Sequence, residues 1–125
     1  MIHHASVGSS DLARSRIFYQ AVIPTLGYRL VSEDEQSLDY GAGDVAFSVE
    51  RPLDGKPASG GNGAHVAFKA RNRRTVEAFY REGLANGGRD AGAPGLRPEY
   101  DANYYGAFLL DPDGNKVEAV TYSAT

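Results

Sequence analysis

The chain has no cysteine among its 125 residues. That excludes disulfides, thiolate metal sites and a thiol nucleophile, and a small secreted scaffold held by disulfides does not fit. Positive charge is not in excess either: 13 Lys and Arg face 16 Asp and Glu, for a formal net charge of −3. Without a basic surplus to neutralise phosphates, no nucleic-acid partner is expected. No apolar run approaches the roughly 20 residues that a membrane-spanning helix needs, so no membrane partner is expected. The opening Met1-Ile2-His3-His4-Ala5-Ser6-Val7 lacks a basic stretch followed by an apolar one, so no secretory signal is read there. The expectation from these absences is a cytoplasmic protein. What is present is the material of a single core: 42% hydrophobic residues, with 8 Tyr and 5 Phe.

The 15 glycines mostly punctuate the pattern. Residues 2–8 read as a strand, with Ile2, His4 and Ser6 on one face and His3, Ala5 and Val7 on the other. Ser9-Ser10-Asp11 offers side-chain oxygens to cap a helix over 12–26, whose apolar stripe is Leu12, Ile17, Phe18, Ala21 and Val22. Pro24 conflicts with a regular last turn, and Gly27 is suited to end it. Strands are expected over 28–32, 37–41 and 45–50. Residues 52–63, with Pro52, Pro57 and four glycines, read as a linker between a first unit of about 1–51 and a second of about 64–125. The second unit begins with a strand over 64–70 and a helix over 73–84. A long loop over 89–103 follows, and its length and Pro-Gly content suggest a binding loop or lid. Strands over 104–110 and 116–122 close the chain, joined by the turn Asp111-Pro112-Asp113-Gly114.

The two units repeat. His4 stands 14 and 15 residues before Phe18-Tyr19, and His65 stands 14 and 15 before Phe79-Tyr80, an offset of 61 that also lays Gly27 on Gly88. Near the ends, Gly43-Asp44-Val45-Ala46-Phe47 parallels Gly114-Asn115-Lys116-Val117-Glu118, which sets Phe47 opposite Glu118. Each unit is therefore a strand, a helix and about three strands, and the natural site is the concave space between two such sheets.

That repeat puts His4 and His65 at equivalent places, with Glu118 on the last strand. Two imidazoles and a carboxylate form a metal set with positions left open, suited to Zn, Fe(II), Mn, Ni or Co. The plainer account is that the histidines hydrogen-bond in a half-polar core and Glu118 faces solvent. His3 points away from His4. In the 89–103 region and just beyond, Arg97 is a candidate for holding an anionic substrate, and a Tyr hydroxyl is a candidate proton donor. Alternation sends one of Tyr104 and Tyr105 toward the cavity and the other away; Tyr100 is more simply explained by packing. Phe47 and Phe108 either line an apolar pocket or belong to the core.

These motifs resemble those of the vicinal oxygen chelate superfamily, which includes glyoxalase I, bleomycin-resistance proteins, fosfomycin-resistance thiol transferases and extradiol dioxygenases. The resemblance is carried by His4…Asp11-Leu12…Ser15…Phe18-Tyr19…Leu26-Gly27-Tyr28, then His65-Val66-Ala67-Phe68, Phe79-Tyr80 and Asp111-Pro112-Asp113-Gly114-Asn115-Lys116-Val117-Glu118. It implies an α+β fold in which two βαβββ modules form an open barrel-like mixed sheet with helices outside. It also implies a divalent metal held by His4, His65 and Glu118, a small-molecule substrate that chelates it through oxygens, and a homodimer whose barrels pair modules across subunits. Glyoxalase I-like proteins usually carry a fourth ligand, a Glu at the place the repeat gives to Phe47, so this chain looks like a three-ligand member. The potassium loop of the thiol transferases is absent, and no histidine other than His3 remains for the extra catalytic His of the dioxygenases. The resemblance thus implies a metalloenzyme of lyase, thiol-transferase or dioxygenase type, or a metal-free sequestering protein of the bleomycin-resistance type.

Overall fold

The computed structural model describes residues 1–125. Strand β1 (Ala5–Gly8) is shorter than the sequence suggests, because its ladder with the fourth strand begins only at Ala5, opposite Phe47. Helix α1 (Leu12–Val22) starts at Asp11, whose side chain accepts the Arg14 N–H at 3.1 Å. The helical path continues to Leu26, but as a 3-10 turn over Ile23–Leu26. Pro24 is the physical reason: it has no N–H to donate one turn back. Gly27 closes the turn in the left-handed region at φ 87°. Strands β2 (Arg29–Glu33), β3 (Ser37–Gly41) and β4 (Val45–Glu50) follow, and the first sheet has the order β1-β4-β3-β2. Only the β1–β4 pair is parallel.

The same order of elements recurs: β5 (His65–Lys69), α2 (Arg73–Ala85), β6 (Arg89–Leu96), β7 (Tyr105–Leu110) and β8 (Lys116–Thr121), in a sheet ordered β5-β8-β7-β6. Asn72 caps α2 by accepting the Thr75 N–H at 2.9 Å. One expectation fails here. Residues 89–103 are not a lid: β6 pairs antiparallel with β7 from Arg89↔Leu110 to Leu96↔Tyr105. Pro94 and the glycines read as loop signals, but β6 is an edge strand with irregular register, where both are tolerated. The true loop spans 97–104 and is closed by the Arg97 N–H donating to the Tyr104 carbonyl at 2.8 Å.

One core joins both halves. Phe18, Tyr19 and Val22 of α1, Phe47 and Val49 of β4, Phe68 of β5, Phe79 of α2, Leu109 of β7 and Val117 of β8 are all buried in it. Phe47 meets Phe68 edge-to-face at 5.0 Å. Gly83 lets the helices close up, since a Cβ there would lie 2.3 Å from Leu109 Cδ1 and 3.3 Å from Phe18 Cε1. The Asp111–Asn115 turn clasps the halves together. Buried Asp111 accepts the Tyr19 O–H at 2.6 Å, and Asn115 Nδ2 donates to the Gly8 carbonyl at 2.9 Å. Asp113 accepts the Ser10 N–H at 2.9 Å, at the start of α1. The molecule is thus α+β, with two helices and two mixed four-stranded sheets and no closed barrel. Each sheet turns one face to the core and the other away from it. No helix is long and apolar enough to cross a membrane.

Candidate functional site

Along β8, Val117 and Ala119 point into the core, so alternation sends Glu118 to the open face. Glu118 is nonetheless only 1% exposed. Side chains on that face roof it over. His65 Nε2 lies 3.2 Å from Glu118 Oε1, and the Tyr104 hydroxyl donates to Glu118 Oε2 in a short hydrogen bond. Both oxygens of a buried carboxyl group therefore have partners, as burial requires. Gly106 makes the contact possible: a Cβ there would fall 3.0 Å from Glu118 Oε2 and 3.2 Å from Tyr104 Cε1. Burial pushes the Tyr104 phenol well above its ordinary range, and the Glu118 hydrogen bond and charge push it further. Tyr104 holds its proton firmly. Tyr100 and Tyr122 pack around its ring at centroid distances of 5.0 and 5.4 Å.

The next residue turns the other way. Tyr105 donates to Glu77 Oε2 at 2.9 Å on α2, and the Arg73 guanidinium lies 5.1 Å from its ring centre. Phe108 shares the Glu118 face, directly opposite it in the β7–β8 ladder, and its ring centre is 6.3 Å from that of His65. Arg97 and Lys116 both lie over Phe108, at 5.6 and 4.9 Å from the ring centre. His65 remains open to solvent, with its side chain 45% exposed. The arrangement is a buried carboxyl group flanked by an accessible imidazole, a proton-holding phenol and two cations on one sheet face.

His4 is not part of it. It precedes β1, is exposed, and its Nδ1 lies 2.9 Å from that of His3. No three His, Cys, Asp or Glu side chains converge within the chain. His65 and Glu118 supply two donors of a chemistry suited to a divalent ion.

Residues 1–119 match the family model of the Glyoxalase/Bleomycin resistance protein/Dioxygenase superfamily. The chain belongs to that superfamily. A glyoxalase/bleomycin resistance protein from Albidiferax ferrireducens T118 is 37% identical, with a TM-score of 0.84 over 94% of this chain and 95% of that one. A glyoxalase/bleomycin resistance protein/dioxygenase family enzyme from Burkholderia phytofirmans PsJN is 17% identical, with a TM-score of 0.74 over 98% of each chain. A lactoylglutathione lyase from Agrobacterium tumefaciens is 19% identical, with a TM-score of 0.64 over 94% of this chain and 91% of that one. These last two likenesses establish the fold alone. No curated protein matches the chain.

For a glyoxalase-superfamily chain, the place equivalent to Glu118 in the first half matters, and the register corrects it. Ala5 pairs with Phe47 in the first sheet, and Val66 pairs with Val117 in the second. At the 61-residue offset of the histidines, Phe47 therefore corresponds to Val117, and Ser48 to Glu118. Phe47 is buried against the Tyr19 and Phe68 rings, at 5.3 and 5.0 Å, on the core side of its sheet. Matching the two strands by the glycine before each had slipped the alignment by one residue, which inverts the face. Ser48 donates to Asp39 Oδ1 at 2.8 Å, and Ser32 donates to Asp39 Oδ2 at 2.8 Å. Asp39 pairs with Ser48 as Phe108 pairs with Glu118, so the first sheet carries its carboxylate one strand over. Ser48, Asp39 and Lys116 escaped the sequence reading. Strict alternation along β4, with apolar Phe47 and Val49 facing the core, was the signal that could have found Ser48.

Proposed function

We propose that the protein is a divalent-metal-dependent enzyme acting on a small molecule that binds through oxygens. The ion would be held by His65 and Glu118 of one copy and His4 of a second copy in a homodimer. One observation carries this reading: a buried carboxyl group and a solvent-accessible imidazole lie 3.2 Å apart on an open sheet face. That donor chemistry suits Zn, Ni, Mn, Co or Fe(II). When bound, such an ion supplies Lewis acidity toward substrate oxygens.

The chain's own residues do the rest. His65 must present Nε2 without its proton to act as a donor. Glu118 is oriented by the Tyr104 hydroxyl, which fixes Oε2 and leaves Oε1 toward His65. Tyr104 keeps its proton at neutral pH and directs it to Glu118 Oε2, so its part is to position that carboxyl group. Phe108 gives this polar group an apolar wall that limits water. Tyr105, turned to α2, supports the hairpin and takes no part in the chemistry. The reaction is of lyase, thiol-transfer or dioxygenase type.

A second reading has its own support. His4 lies apart from His65 and Glu118, so a single chain has only a pair of donors. This favours a binding protein of the bleomycin-resistance type that takes a ligand without metal. Metal content decides between the two. Untagged protein purified without chelators is expected to hold about one ion per chain by plasma mass spectrometry, lost in both His65→Ala and His4→Ala. Full occupancy in either variant overturns the three-donor site. No uptake after soaking in the five candidate metals moves the protein to the second reading.

A further inference from the structure

Arg97 is held in an unusual way. Its side chain folds back across the edge strand β6, where Nη1 donates to the Gly95 carbonyl and Nη2 to the Ala93 carbonyl, each at 2.9 Å. The trough it lies in exists because two positions have no Cβ. A Cβ on Gly95 would come 3.1 Å from Arg97 Nη1. One on Gly92 would come 3.3 Å from Nη2 and 2.9 Å from Phe108 Cδ2. The guanidinium carbon lies over the Phe108 ring, 5.6 Å from its centre.

This uses only two of the five guanidinium N–H donors. No carboxylate pairs with Arg97, and none pairs with Lys116, whose Nζ lies 4.9 Å from the same ring. Most basic residues of this chain are outside ion pairs, and what sets these two apart is that they share one phenyl ring beside His65. A hairpin lock alone explains the Arg97 carbonyl bonds. It does not explain Lys116, which is exposed and bonds to nothing in the hairpin.

We propose that Arg97 and Lys116, packed on Phe108, form an anion subsite, so that the substrate is a small organic acid whose carboxylate or phosphate is held there. Arg97 is the preorganised member, with its torsional freedom already spent on Gly95 and Ala93. Lys116 is the exposed member, bound to no carboxylate and so able to turn to the anion. The oxygens to be transformed then lie toward His65 and Tyr104, across the Phe108 ring. The assignment rests on the reading of this sheet face as the substrate face, and deepens it to a substrate class.

The test is a titration of isotope-labelled, metal-free protein with inorganic phosphate at constant ionic strength, following the ring resonances of Phe108 and His65 by NMR. Saturable shifts are expected. Arg97→Gln and Lys116→Gln should each weaken phosphate binding roughly tenfold, the worth of one charge-assisted hydrogen bond. Arg74→Gln, on the exposed side of α2, should leave it unchanged. Phosphate affinity retained in both Arg97→Gln and Lys116→Gln, or shifts no different from those given by chloride, would overturn the subsite. Because Lys116 is exposed, its variant tests the idea even if the Arg97 variant unravels the hairpin. The titration needs no metal. A saturable phosphate site in a protein that takes up no ion leaves the subsite standing and removes the metal-dependent reading.

Discussion

Tyr19 and Tyr40 show how differently two buried phenols can be kept. The Tyr19 hydroxyl donates to Asp111 Oδ2 at 2.6 Å, while the Tyr40 hydroxyl is buried with no hydrogen-bond partner. Removing the Tyr19 hydroxyl takes a charge-assisted bond from buried Asp111 and leaves its Oδ2 with only the Asn115 Nδ2 donor, whereas removing an unsatisfied hydroxyl relieves a desolvation cost. Tyr19→Phe should therefore destabilise the fold by about 1.5–3 kcal/mol. Tyr40→Phe should be neutral or stabilising by up to about 1 kcal/mol. Urea denaturation of the two variants checks the contrast, and equal losses would contradict it. Both phenols also couple stability to alkaline pH. Burial pushes Tyr40 up to about 12, and burial with the neighbouring Asp111 raises Tyr19 well above its ordinary range. The folded chain thus holds these protons after the unfolded chain has released them, near pH 10. Their contribution is complete below about pH 10 and is lost as pH rises through the folded values. Phenolate absorbance should show a late fraction, which includes Tyr19 and Tyr40, that appears together with unfolding.

At the scale of elements, β7 depends on Gly106, which opposes Val120 and leaves room for Tyr104 to reach Glu118. Gly106→Ala would force the Glu118 carboxyl or the Tyr104 ring aside by a few tenths of an ångström or more. The expected cost is about 1–3 kcal/mol, the usual range for overpacking. The diagnostic sign is local: the Tyr104 hydroxyl should lose its short hydrogen bond and its slow exchange while the Tyr19–Asp111 bond persists. Both are readable by NMR, and an unchanged Tyr104 would show that the site does not need this glycine. Most of the elements were legible beforehand because their signals are local. Asp11 and Asn72 cap helices, Gly27 ends one, and the Asp111–Gly114 turn joins β7 to β8. β6 was missed because Pro94, Gly92 and Gly95 argue for loop, and only pairing with β7 from outside the segment outweighs them. The face of Phe47 was missed for a related reason. The repeat is carried by histidines and aromatics in the first strand and helix, but the turn before β4 differs in length from that before β8, and one residue is enough to exchange the faces. His65 and Glu118 were named from motif and repeat, and Tyr104 only as one of a pair with Tyr105, because alternation alone does not say which ring faces the site. Lys116 was not, because a lysine on a strand carries no sign of the ring it will cover.

For the whole molecule, the question is how His4 can meet His65 and Glu118 when the fold turns both sheets' open faces away from a shared core. The Asp111–Asn115 clasp and the Phe47–Phe68 contact hold the two halves to each other through the sides that carry the helices. In the proposed site the missing imidazole would therefore come from a second copy. That arrangement makes a prediction about mixtures. His4→Ala and His65→Ala, each unable to hold metal alone, should complement each other when unfolded together and refolded, because a mixed dimer contains one site with both defects and one with neither. Metal content in the mixture should recover toward a quarter of the wild-type level, since half of the dimers are mixed when subunits pair at random and each restores one of its two sites. Sedimentation analysis should show a dimer in every sample. If the ligands instead came from a single chain, every site in the mixture would carry one defect and no metal would return. A dimer with no recovery would therefore assign His4 to its own chain, and a monomer that keeps full metal would remove the second copy from the site altogether.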